Sequence, residues 1–81
     1  MKSVQRRKTA ALTAATAATV EVAAAQRRLE VAVGRAAHWG ATWAEIANAL
    51  GVTPQGAHKR FRNIRYDPST GRAWTEPQLP L

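Results

Sequence analysis

Thr42-Trp43-Ala44-Glu45-Ile46-Ala47-Asn48-Ala49-Leu50-Gly51-Val52-Thr53-Pro54-Gln55-Gly56-Ala57-His58-Lys59-Arg60-Phe61-Arg62 is the stretch that decides how this chain folds. Thr42 and Glu45 form a capping box, in which the Thr hydroxyl accepts from the Glu45 amide and the Glu45 carboxylate reaches back. Trp43, Ile46, Ala47 and Leu50 follow at i, i+3, i+4 and i+7, the spacing of one apolar helical stripe. Gly51 ends that helix, because the chain must turn there through positive φ. Val52 is expected to pack in the turn. Thr53 is an N-cap with Pro54 at N1, a favoured helix start, and the spacing predicts a helix from Pro54 to about Ile64 or Arg65. The result is two short helices joined by a tight glycine turn.

The later helix divides by face. Ala57, Phe61 and Ile64 fall on one side by the 3–4 rule and can meet Ile46, Leu50 and Val52. Gln55, His58, Lys59, Arg62 and Arg65 fall on the other, with Arg60 at the flank. No acidic residue interrupts the run between Leu50 and Tyr66. A helix lying in the major groove needs this division, with one side docked on a supporting helix and long donors on the other. Residues early in such a helix usually reach bases and later ones the backbone. Gln55, His58 and Lys59 are therefore the base-contact candidates. Thr53, Arg60, Arg62, Arg65 and Arg72, with Arg6 and Arg7, are the phosphate-contact candidates. Gly56 exposes backbone for close approach.

Working outward, Thr9 to Trp39 contains no proline and a single glycine, Gly34. Alanine dominates it and favours helix, while the threonines lower the propensity. A helix is expected over 9–39, firmest from Val20 to His38 and stopped by Gly40. Leu12, Ala15, Thr19, Val22, Gln26, Leu29, Val33 and Ala36 are spaced alternately by three and four residues, as in a heptad seam. One reading is a homodimer through this helix before Gly40, with DNA half-sites about one turn apart. The other is that Leu29, Val33 and Ala36 cover the core of the two-helix unit while the N-terminal half frays. Residues 1–8 read as a basic flexible arm. Trp39 and Trp43 read as core or near-core, and His38 as a surface residue.

Downstream, Asp67-Pro68-Ser69-Thr70-Gly71 suits a type I turn followed by a left-handed glycine, which can close a hairpin. Residues 66–75 are thus either a β-hairpin, a wing after such a helix, or an ordered turn. Two strands alone are marginal in water, so Tyr66 and Trp74 would have to pack on each other or on the helices. Residues 76–81 read as a flexible tail.

Bulk properties narrow the function classes. A chain of 81 residues is at most one small domain with a thin core. It has no cysteine and a net charge of +7, which excludes thiolate chemistry and favours a polyanionic partner. No apolar run is long enough to span a bilayer, and a cytoplasmic protein without membrane contact is expected. Nothing resembles a nucleophile–base pair, a phosphate loop, paired carboxylates or a metal-ligand cluster, so neither enzyme activity nor a cofactor, metal or small-molecule ligand is expected.

Ala44-Glu45-Ile46-Ala47-Asn48-Ala49-Leu50-Gly51-Val52-Thr53 resembles the second helix and turn of the helix-turn-helix in sigma-factor region 4 and response-regulator output domains, where an alanine and a glycine recur at the positions of Ala47 and Gly51. Ala57 stands where that family more often has valine, and Phe61 where it has leucine. The chain is also similar to small stand-alone regulators with an Ala-rich first helix and a Gln-x-Ala-x-x-Arg-Phe recognition helix. The resemblance covers residues 40–64. It implies an all-α helix-turn-helix protein that binds double-stranded DNA as a small transcriptional regulator. An accessory role in recombination, packaging or plasmid maintenance, or an adaptor using the Ala-rich helix, are the alternatives.

Overall fold

A computed structural model describes residues 2–77. The elements are a long helix α1 (Lys2–His38), two short helices α2 (Trp43–Leu50) and α3 (Pro54–Phe61), and strands β1 (Ile64–Asp67) and β2 (Arg72–Thr75). The strands pair as one antiparallel hairpin.

Helix α1 extends to Lys2, so residues 2–8 continue the helix and do not form a separate flexible arm. Nothing between them and the alanine run breaks helix, and propagation needs only one further hydrogen bond per residue. Thr13, Thr16 and Thr19 donate their hydroxyls to the carbonyls of Thr9, Leu12 and Ala15 at 2.9–3.0 Å. This pairing keeps the threonines compatible with the helix. At the other end Gly40 adopts φ +95°. Its amide donates to Ala37 O, and the Ala41 amide donates to Ala36 O at 2.9 Å, which satisfies the last carbonyls of the helix.

The core is small. Val33, Ile46, Ala47, Ala57 and Phe61 are buried, with Leu29, Ala36, Trp43, Leu50 and Ile64 packed around them. Within α1, therefore, Leu29, Val33 and Ala36 cover the core of the α2–α3 unit. The N-terminal half is helical, with every residue from 2 to 22 exposed.

The hairpin docks on the other side of α1. Gly34 makes the approach possible, since a Cβ there would stand 3.1 Å from both Ile64 Cγ2 and Tyr66 Cβ. The register pairs Arg65 with Trp74 and Tyr66 with Ala73. Alternation then turns Ile64, Tyr66 and Ala73 toward α1, and Arg65, Asp67, Arg72 and Trp74 away. The turn is the expected type. Gly71 has φ +70°, its amide donates to Asp67 O at 2.8 Å, and the Asp67 carboxylate accepts from the amide and hydroxyl of Ser69.

Several expectations need correction. Helix α3 ends at Phe61, and Ile64 and Arg65 belong to β1. Ile64 still reaches the core, but from the strand. Trp39 is 76% exposed, because it lies at the helix stop beyond the last packed turn. Trp74 is 45% exposed and lies on the hairpin face opposite to Tyr66, so the two rings do not pack on each other. Val52 is also exposed. The first residue of the expected tail, Glu76, is tied in by its amide to Asn63 O at 3.0 Å; residues 78–81 lie outside the described ones.

Candidate nucleic-acid interface

The position of α3 follows from local chemistry at its start. Thr53 Oγ1 accepts from the Gly56 amide at 3.1 Å, and Pro54 occupies the first turn. A Cβ on Gly56 would itself lie 3.1 Å from Thr53 Oγ1, so glycine lets this cap close without crowding. The preceding turn is equally determined. Gly51 sits at φ 71°, and the Val52 amide donates to Ala47 O at 3.0 Å. Helix α2 is held at its start by the capping box, with Glu45 N–H to Thr42 Oγ1 at 3.1 Å and Thr42 N–H to Glu45 Oε1 at 2.9 Å. The Thr42 amide and hydroxyl hold the Glu45 carboxyl below its ordinary pKa.

With α2 fixed, α3 is clamped by its inner face. Ala57 is 1% and Phe61 4% exposed. The helical rotation then turns Gln55 and Lys59 directly away from the core, with Arg62 following at the helix end. All three are exposed. The flanking residues are not equivalent to them. His58 packs its ring edge-on against Trp43, with centroids 5.3 Å apart. Arg60 lays its guanidinium 4.8 Å from the centre of the Phe61 ring on the opposite flank. Sequence alone placed His58 with Gln55 and Lys59; the Trp43 contact sets it at the edge of that face.

The remaining candidates are dispersed. Arg65 lies on the outer face of the hairpin, where its Nε is 3.3 Å from Glu76 Oε2. Arg72 is exposed on the same face, in register with Asp67. Arg6 and Arg7 stand in the first turns of α1. At 1.5 Å per residue they are about 40 Å along the helix from Val33, so they do not share a footprint with α3.

Trp74 is the residue that reading by sequence missed as a surface group. The alternation Arg72-Ala73-Trp74 opposite Arg65-Tyr66-Asp67 carries the signal. Once Tyr66 faces α1, Trp74 must face away.

Charge reinforces the polarity of this surface. None of the five acidic residues of the chain lies on α3. Glu45 is occupied in the cap of α2 and Glu76 in its pair with Arg65. Asp67 is occupied in the turn, where the Ser69 hydroxyl and amide lower its pKa. No helix among the described residues is long and apolar enough to cross a membrane. Comparison of the chain with protein families, curated proteins and solved structures finds no match.

Proposed function

We propose that this chain binds double-stranded DNA in a sequence-dependent way, as a small transcriptional regulator, with α2 and α3 acting as a helix-turn-helix. The observation that carries the reading is the division of α3. Ala57 and Phe61 are buried in the core, while Gln55 and Lys59 are exposed on a helix that carries no acidic residue and Arg62 is exposed at its end. In a major groove such a helix presents Gln55 and Lys59 to base edges, where glutamine suits adenine N6/N7 and lysine suits guanine O6/N7. Arg62 and the capped start of the helix at Thr53 face phosphates. His58, braced by Trp43, and Arg60, stacked on Phe61, line the two edges of the footprint. The hairpin takes the place of a wing, with Arg72 and Arg65 as further phosphate contacts.

Gel shifts against a randomised duplex pool, followed by a salt titration on the selected site, test this. Four to six phosphate contacts give a log–log salt slope of roughly −4 to −5 per subunit. Gln55→Ala is expected to relax base preference at the contacted position, costing about 1–3 kcal/mol on the preferred site. Arg62→Ala is expected to weaken binding to every sequence alike and to reduce the slope by about 1. Absence of duplex binding at low salt overturns the reading. A uniform loss from Gln55→Ala overturns the base assignment alone.

A further inference from the structure

We infer that residues 2–24 of α1 pair with the same segment of a second copy of this chain in an antiparallel, two-fold symmetric coil. This inference is independent of the DNA reading. All residues from 2 to 22 are exposed, Val4, Leu12 and Val22 among them at 66%, 60% and 56%. The line that carries Ala36 and Leu29 into the core at a step of seven continues back along α1 by another seven to Val22, then through Ala18, Ala15, Ala11, Lys8 and Val4 at alternating steps of four and three. Lys8 apart, the line is apolar, and its stretch from Val22 back to Val4 is exposed among the described residues.

The charges choose the direction. The first 20 residues hold Lys2, Arg6, Arg7 and Lys8 and no acidic residue. Parallel pairing would stack Lys8 on Lys8 and bring both basic ends together. Antiparallel pairing with Val4 opposite Val22 places Ala11 opposite Ala15, small residues that let the helices approach closely. On one flank Leu12 then meets Leu12 across the two-fold axis. On the other, Arg7 of each copy faces Glu21 of the other, so the pair occurs twice. The Lys8 stem lies over Ala18 with its ammonium at the edge. Each N-terminus ends beside residue 24 of the other copy, short of the core that begins at Leu29, so the free length of the helix matches the overlap. The two cores then sit about 60 Å apart at 1.5 Å per residue, closer to two turns of DNA than to one.

Sedimentation equilibrium of the full chain over a concentration series tests the association, and charge reversal tests the register. Arg7→Glu is expected to weaken the dimer roughly tenfold, and Arg7→Glu with Glu21→Arg to restore it. Because the chain has no cysteine, Val4→Cys combined with Val22→Cys reads direction without background. Oxidation is expected to link position 4 to position 22 between chains, while Val4→Cys alone stays unlinked. A position 4 to position 4 disulfide, or failure of the double charge swap to restore association, overturns the antiparallel register. A monomer mass at every concentration overturns the pairing. So does protection of residues 2–22 from hydrogen exchange that appears only on adding duplex DNA, which would make DNA the partner of this face.

Discussion

Residues 2–22 and residues 29–38 belong to the same helix and draw on the same alanine-rich composition, yet every residue of the first is exposed while the second supplies Leu29, Val33 and Ala36 to the core. The first half is helical because of what its residues are. The second is helical and also fixed in space, because α2 and α3 close over one side of it and the hairpin over another. Two consequences follow. Helix propensity is a property of the segment, whereas a site requires the segment to be held against something. The functional candidates that converge are those attached to the second half. Arg6 and Arg7, on the first, are separated from them by most of the length of α1.

The largest test of this contrast is removal of a group from the packed side. Phe61→Ala empties a site only 4% exposed in a core of few residues. It is expected to cost about 3–5 kcal/mol, a large part of the stability of so small a domain. Chemical denaturation followed by far-UV circular dichroism and tryptophan fluorescence checks it. A loss well under 1 kcal/mol would show that the packed half is no better held than the free one.

Next in size is Gly34→Val. A branched side chain there would collide with Ile64 and Tyr66, whose atoms already lie 3.1 Å from where a Cβ would stand. The expected cost is about 1–3 kcal/mol, accompanied by release of the hairpin. Amide exchange in β1 and β2 should then rise while α2 and α3 stay protected. Unchanged hairpin protection would mean that Gly34 is not what seats it.

The smallest effect expected is acid sensitivity confined to the packed side. The folded-state pKa values of Glu45 and Asp67 are lowered by the Thr42 and Ser69 groups respectively. Their contribution is therefore fully present above the ordinary carboxylate range and is lost as the pH falls through the lowered folded values, below about 4. Thr42→Ala removes the hydroxyl arm of the cap, leaves the backbone amide of residue 42 to donate to Glu45, and is expected to cost about 1 kcal/mol at neutral pH. It should also reduce the acid dependence contributed by Glu45, but only in part, because the backbone amide that lowers this carboxyl most remains. The first 20 residues carry no carboxylate and should show no such dependence of their own. An acid profile unaffected by Thr42→Ala would remove the Thr42 hydroxyl as one of its causes.

Much of the fold was legible wherever a local rule was strong. The capping box at Thr42, the glycine stops at Gly40 and Gly51, the Thr53-Pro54 start and the Asp67–Gly71 turn each depend on a few neighbouring residues, and each has the expected geometry. The end of α3 was not legible. Asn63, Ile64 and Arg65 continue a helical 3–4 pattern as well as they begin a strand. What decides for the strand is pairing with residues 72–75 and docking at Gly34, both distant in sequence. Trp39 was misplaced for a related reason. Aromatic character suggests burial, but the residue falls one turn past the last surface available to cover it.

The sequence by itself determined the helical segments, their caps and turns, the basic balance of the chain and the two-faced character of residues 54–62. These depend on short-range hydrogen bonding, backbone preference and composition. Tertiary structure alone decided that Ile64 and Arg65 leave the helix, that Tyr66 turns in and Trp74 out, and that His58 and Arg60 are braced at the edges of α3. It also decided which half of α1 is covered. Those outcomes depend on which surfaces meet, and the free energy of burial is settled between segments far apart along the chain.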